Sequence, residues 1–393
     1  MNKAHQIQLN PTKKQEELLR KSVGVHRHSY NWCLAMWKEL YEKGEKPSVY
    51  SMVKLQNSIK KEQFPFYLQV SKTACQYACH NVESAYKKMW KEKTGYPKFK
   101  KKGVKDSFLA VDNNNTFKQS NYKIHIPRIG KIKCLENLRF EGKVNNVVVK
   151  RIANKWFAIV NIETFSNEAP MPSENQAVVG VDLGIKTMLT LSDGKTFENP
   201  KALKSNLKSL KRLQRGLSRK VKGSNNRKKQ QMRIATKHYR VNNIRKNAIH
   251  QATTYIVKNY DTIVIEDLNV KGMVKNHNLA QALSDVSFSE IRRQLTYKSA
   301  WLGKGLIVAD RFYASSKLCS NCGHKKETLK LSDRVYVCSE CNLELDRDVN
   351  AAKNLASLGS TLSVRGTKAC GEAMVETQSR SVKHEIKNLN INF

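Results

Sequence analysis

Two Cys-x-x-Cys pairs, Cys319/Cys322 and Cys338/Cys341, stand fifteen residues apart, and an acidic run, Asp346-Arg347-Asp348, follows them at once. Each pair can set two thiolates on one tetrahedral ion only where the backbone turns sharply, and Ser320-Asn321 and Ser339-Glu340 allow such turns. Between the pairs, Lys325 to Val337 carries Thr328, Leu329, Val335, Tyr336 and Val337 with Ser332-Asp333 as a turn, which predicts a short β-hairpin. The pattern is that of a zinc ribbon holding one structural Zn²⁺. A disulfide framework is the alternative, but a chain of 393 residues with no export signal belongs to a reducing compartment.

The formal charge of +38 bears on partners rather than on fold. Such an excess repels itself unless a polyanion neutralises it, and cations spread over almost the whole length imply a long one. Nucleic acid fits best. An anionic membrane surface fits less well, because the basic stretches interleave with Tyr, Phe and Asn instead of lining strongly apolar helices. No stretch approaches about eighteen consecutive apolar residues, so a soluble, cytoplasmic, nucleoid-associated protein with no membrane partner is expected.

Met1 to Leu9 alternates apolar and polar residues and predicts one strand, whose partner must lie elsewhere. Thr12 and Gln15 form a capping box, opening a helix with an apolar stripe at Leu19, Val23, His26, Tyr30, Cys33, Trp37 and Leu40. Further helices are expected over Tyr50 to Glu62 and Ser71 to Lys93. The third buries Cys75, Cys79, Val82, Tyr86 and Met89, and its polar face, with Lys72 and Gln76, suits nucleic-acid edges or plain solvation. The run Tyr96-Pro97-Lys98-Phe99-Lys100-Lys101-Lys102 mixes cations with aromatics as phosphate and stacking contacts require, Lys100 among them, although a linker has the same composition. From Asp106 to Phe165 the pattern turns to short strands: Phe108 to Val111, Lys123 to Ile126, Lys131 to Cys134, Asn146 to Lys150 and Trp156 to Ile162. A small β-barrel completed by the N-terminal strand is expected, with the helices inserted into it.

Val178 to Val181 is a short β-branched run ending in Asp182; Thr262 to Ile265 is another, ending in Glu266; Asp348 opens a late helical run, Val349 to Leu358. Singly, each acid has an ordinary structural use as a turn or cap residue. Together they match the places from which an RNase H-type sheet gathers carboxylates on one surface. Such hard oxygens suit Mg²⁺ or Mn²⁺, with Asp346 and Asp267 as helpers standing behind the ligands rather than on the metal. Between the first two acids, Ala202 to Asn259 predicts a basic helical hairpin exposing Lys211, Arg212, Arg215, Arg219, Lys228, Lys229, Arg233, Arg240 and Arg245, where a nucleic-acid backbone would relieve the crowding. Lys271 to Ser287 reads as a loop, either a lid over the acids or a passive connection, and the tail from Gly359 as disordered.

Val179-Gly180-Val181-Asp182-Leu183-Gly184, Val264-Ile265-Glu266-Asp267-Leu268-Asn269, Ser315-Ser316-Lys317-Leu318-Cys319-Ser320-Asn321-Cys322-Gly323 and Asp346-Arg347-Asp348-Val349-Asn350-Ala351-Ala352 resemble the nuclease motifs of the TnpB family. These are transposon-encoded proteins ancestral to the compact type V CRISPR effectors. Leu9-Asn10-Pro11-Thr12 and Ile126-Pro127-Arg128-Ile129-Gly130 extend the resemblance over nearly the whole chain. It implies an α+β multidomain protein: a β-barrel wedge domain (1–11 and 106–170), an inserted helical recognition domain (12–105), a RuvC-like nuclease domain (176–314 and 344–358), a zinc ribbon that binds target nucleic acid (315–343) and a disordered tail (359–393). It also implies a metal-dependent endonuclease, monomeric on its guide RNA, that cuts target double-stranded DNA beside a short motif. By position, Asp182, Glu266 and Asp348 would be catalytic and hold magnesium, Cys319, Cys322, Cys338 and Cys341 would hold zinc, and Tyr50, Lys72, Gln76, Asp112 and Asn113 would contact nucleic acid. A guided or direct DNA-binding repressor without cleavage, or a strand-transfer transposase, are the alternatives.

Overall fold

Alternation places Ile7 and Leu9 on the buried face of the first strand, β1 (Asn2–Asn10). It is followed by α1 (Lys13–Glu42), α2 (Val49–Ile59), a 3-10 turn at Pro65–Gln69 and α3 (Lys72–Glu92). Six strands come next: β2 (Ser107–Asp112), β3 (Gln119–Ser120), β4 (Lys123–Ile126), β5 (Gly130–Cys134), β6 (Lys143–Ile152) and β7 (Lys155–Glu163). This computed structural model describes residues 1–112, 119–164, 177–330 and 332–366. The chain divides into two units, Met1–Asn167 and Glu168–Phe393.

In the first unit the strands form one antiparallel sheet in the order β2-β6-β7-β1-β5-β4-β3. The N-terminal strand finds its partners far along the chain, with His5 opposite Val160 and Leu9 opposite Cys134. Among the described residues the end strands β2 and β3 do not pair with each other, so the described element is a sheet where the sequence predicts a barrel. The helices lie between β1 and β2 in sequence. The Thr12 hydroxyl accepts the Gln15 amide at 3.3 Å and the Gln15 side chain accepts the Thr12 amide at 3.1 Å, closing the capping box. The stripe of α1 is buried from Leu19 to Trp37, and Trp37 stacks on Tyr86 of α3 with ring centroids 5.5 Å apart.

The second unit runs β8 (Val178–Leu183), β9 (Thr187–Leu191), β10 (Thr196–Glu198), α4 (Ala202–Ser218), α5 (Asn225–Asn259), β11 (Thr262–Glu266), α6 (Val270–Met273), α7 (His277–Val286), α8 (Phe288–Leu302), β12 (Gly305–Ala309), β13 (Val335–Val337), β14 (Glu344–Asp346) and α9 (Arg347–Gly366). Its main sheet has the order β10-β9-β8-β11-β12. β11 is parallel to both β8 and β12, whereas β8, β9 and β10 form an antiparallel meander. Parallel central strands are covered on both faces, which is why β8 and β11 read as unbroken apolar runs. Gly180 on β8 lets α9 come close: a Cβ there would stand 1.9 Å from the Ala352 carbonyl oxygen.

Two expectations change here. Lys271 to Ser287 is not a loop but holds α6 and α7, because Asn269 and Asn276 cap helices instead of breaking them, their side chains accepting the Gly272 and Asn278 amides. The last helix continues past Leu358 to Gly366, and Gly359 lies against Val264 and Val178; residues 367–393 fall outside the described residues.

Candidate active site

Asp182 lies near the carboxyl end of β8, Glu266 ends the adjacent parallel strand β11, and Asp348 is in the first turn of α9. Parallel pairing of β8 with β11 brings the first two to the same end of the sheet, and the contact of α9 with Gly180 brings the third. Asp182 feels the other two. Burial pushes the Asp182 carboxyl well above the usual range, the charges of Glu266 and then Asp348 push it the same way, and Arg347 opposes them. A site that gathers like charges in low dielectric favours a cation, and the all-oxygen donor set fits a hard divalent ion.

Other side chains position these acids. The buried Ser315 hydroxyl donates to Glu266 Oε1 at 2.5 Å. Asn354 on α9 donates to the Ser315 and Leu318 carbonyls, each at 2.7 Å, and Asn350 donates to Leu318 O at 2.7 Å while accepting the Ser320 amide. These two buried asparagines, one turn apart, therefore fasten the turn that enters the ribbon to the helix that carries Asp348. Asp346 caps α9, accepting the amides of Asp348 at 2.9 Å and Val349 at 3.1 Å. The capping role that Asp348 could have filled is thus taken by Asp346, which leaves the Asp348 carboxylate for the site. Asp267, expected as a helper behind the ligands, is bound by Arg311 and Arg292 at 2.5 and 2.6 Å, which hold its carboxyl below the usual range.

In the ribbon the four thiols are gathered so that they could hold one metal ion, the sole such group of three or more ligand side chains among the described residues, with all ligand atoms within 4.8 Å of one another. Cys319 and Cys341 are 3.6 Å apart, as are Cys322 and Cys338. Tetrahedral Zn–S bonds of about 2.3 Å require sulfur separations of roughly 3.8 Å, so the cluster fits zinc. Hydrogen bonds from the Asn321 side chain and the Leu343 amide lower the pKa of the Cys341 thiol, while at Cys322, against a hydrogen bond from the His324 backbone, burial and the cysteine neighbours raise it. The ligand oxygens of Asp182, Glu266 and Asp348 do not all lie within 4.8 Å of one another.

The predicted nucleic-acid contacts divide. Tyr50 is 80 % exposed and Lys72 is exposed, whereas Gln76 is half-buried and reaches Asn57 at 3.4 Å. Lys100 is corrected: its ammonium sits 4.2 Å from the Tyr30 ring centre and 3.2 Å from His26 Nε2, and burial lowers its pKa to about 8. Arg245 is corrected too, since it pairs at 3.2 Å with the buried Asp285, which also accepts the Leu203 and Lys204 amides at the start of α4. The side chain of Asp112 and all of Asn113 lie outside the described residues. On the hairpin of α4 and α5, Lys211, Arg212, Arg215, Arg219, Lys228, Lys229, Arg233 and Arg240 are all exposed. Sequence reasoning missed Ser315, Asn350, Asn354 and Asp285, although Ser315 and Asn350 stand in motifs quoted for the resemblance.

Comparison with known proteins gives three family matches: "Probable transposase" over residues 160–277, "Cas12f1-like, TNB domain" over 288–355 and "Helix-turn-helix domain" over 1–46. The last region is built as β1 and one long helix, α1, instead of two helices. A protein of Escherichia coli K12 named "Putative RNA-guided DNA endonuclease InsQ" is 33% identical over 97% of this chain and 96% of its own length. A Streptomyces pristinaespiralis protein, "Putative RNA-guided DNA endonuclease", is 33% identical over 95% and 92%. Among solved structures, a Cas12f1-sgRNA-target DNA complex shares the fold with a TM-score of 0.56 at 15% identity, covering 88% of this chain and 83% of that one. With identity at this level over nearly its whole length, the chain belongs to the TnpB family.

Proposed function

We propose that the protein is an RNA-guided DNA endonuclease that cleaves target double-stranded DNA at Asp182, Glu266 and Asp348. The convergence of these carboxylates from β8, β11 and α9 supports the hydrolytic reading, and the names of the full-length relatives support guidance by RNA. Divalent magnesium or manganese held by the three side chains would supply activation of water and stabilisation of the leaving oxygen. The protein's own contribution is placement. Ser315 fixes one Glu266 oxygen, Asp346 fixes the first turn of α9, and Asn350 and Asn354 tie that helix to the ribbon. The exposed cations of α4 and α5 supply phosphate contacts, which carry no sequence information; base pairing with the guide supplies the specificity. One Zn²⁺ in the ribbon is structural, and the protein acts as a monomer on its RNA. A non-cleaving repressor is not favoured, because all three carboxylates are present. Sequencing the RNA that copurifies with the protein, then offering a plasmid matching that RNA with Mg²⁺, tests the reading. Discrete transposon-end RNA and guided cutting are expected; absence of the RNA contradicts guidance.

A further inference from the structure

Phe312 is 90 % exposed, the most exposed of the large apolar side chains among the described residues. It sits at the midpoint of a loop whose two ends are held at one residue. On one side Ala309 pairs with Glu266 across β12 and β11; on the other Ser315 donates to the Glu266 carboxylate. Three residues of chain reach no more than about 11 Å, so the Phe312 backbone stays within that distance of both anchors. The loop is also braced internally. Asp310 accepts the Phe312 amide at 2.8 Å, Arg311 binds Asp267, and the Tyr313 hydroxyl donates to the Asn354 carbonyl at 3.1 Å. A braced loop that holds an aromatic ring in water and is anchored at both ends to Glu266 gains nothing in folding from that ring, because apolar surface left exposed forfeits its burial energy.

We propose that Phe312 is a positioning residue, a platform on which an unpaired base of the target strand stacks while that strand's phosphate lies at the carboxylates. The inference rests on the nuclease reading above and adds to it the chemistry of the bound strand: single-stranded, with at least one base unstacked from its neighbours. Carboxylates repel a phosphodiester, so a strand needs attraction from elsewhere to stay at the site. Every base has a π-face, which makes stacking on phenylalanine independent of sequence, as a guided enzyme requires. A protein partner would leave Phe312 apolar but with no need for aromaticity, and that difference is testable.

The experiment uses the full chain with its copurified RNA in two arms. Cleavage of a matched plasmid compares the wild type with Phe312→Ala, Phe312→Leu and Phe312→Trp. Stacking on one base by alanine substitution is worth about 5- to 140-fold, from ~1–3 kcal/mol at 1.4 kcal/mol per tenfold, and the alanine variant is expected to lose cutting within that range while target binding stays near normal. Tryptophan should restore it, and leucine, similar in bulk without a π-face, should not. In the second arm, a single-stranded oligonucleotide carrying 2-aminopurine is titrated with each protein, and quenching is expected with phenylalanine and tryptophan only. Rescue by leucine in either arm, or quenching retained by alanine, overturns the platform. If wild type fails to cut the matched plasmid, the guided-nuclease reading fails, while the quenching arm still decides whether Phe312 stacks on DNA.

Discussion

Replacing Gly180 by alanine tests how the third carboxylate reaches the other two. The added Cβ would lie 1.9 Å from the Ala352 carbonyl oxygen, 2.5 Å from the Ala356 amide nitrogen and 2.9 Å from Leu355 Cβ. Two of these neighbours are helix backbone and cannot swing aside, so α9 has to withdraw by roughly 1.5 Å to reach ordinary contact. Asp348 stands one turn before Ala352 and moves with it. Misplacing a reacting group by about 1 Å costs on the order of a hundredfold in rate. Overpacking costs about 1–3 kcal/mol, which lowers the melting temperature of a unit this size by roughly 2–12 °C. The assay is guided plasmid cleavage with RNA and target binding measured in parallel, and the expected result is cutting slowed about a hundredfold with binding retained. Gly359→Ala is the control: the atoms nearest its added Cβ are side-chain atoms of Val264 and Val178, farther along α9 from Asp348, so its loss should be smaller. A Gly180→Ala protein that melts and cuts like the wild type would refute the reasoning.

Ser315→Ala removes a hydrogen bond to a charged group, worth about 1.5–3 kcal/mol, so cutting should fall roughly ten- to a hundredfold with RNA binding intact; an unchanged rate contradicts its positioning role. Cys338→Ser should abolish zinc content and destabilise the ribbon, since structural zinc contributes on the order of 10 kcal/mol; metal analysis and thermal melts that match the wild type would exclude this. His26 donates from Nδ1 to the Ala74 carbonyl, while burial and then the Lys100 charge hold its pKa to about 3. The folded value lies below the unfolded one, so the unfolded chain takes up the proton first, and stability of the N-terminal unit should be lost progressively as pH falls from about 6.5 toward 3. A melting temperature that does not fall between about pH 7 and about pH 5 contradicts this sign.

Local chemistry was readable from the sequence where a signal and its partner lie close together. The capping box of Thr12 and Gln15, the stripe of α1 and the paired cysteines need only neighbours within a turn or a hairpin. The ends of β8 and β11 were readable because a buried strand has a simple composition. What escaped depends on contacts between distant segments. Ser315 meets Glu266 across 49 residues, and Arg311 meets Asp267 across 44, so neither pairing leaves a trace in spacing. Lys100 stands in a basic, aromatic run that suggests phosphate binding, yet its ammonium turns inward to Tyr30 and His26. Asn269 and Asn276 show a different failure, since the same residue type interrupts a helix or caps one.

The most direct test of the carboxylate site is guided cleavage by Asp348→Ala protein loaded with its RNA, alongside target binding. Binding near the wild-type level with no cutting is the expected result, and Asp182→Ala and Glu266→Ala should behave alike. Cutting retained by Asp348→Ala would contradict the account and move the third role to Asp346, whose carboxylate is here assigned to capping α9.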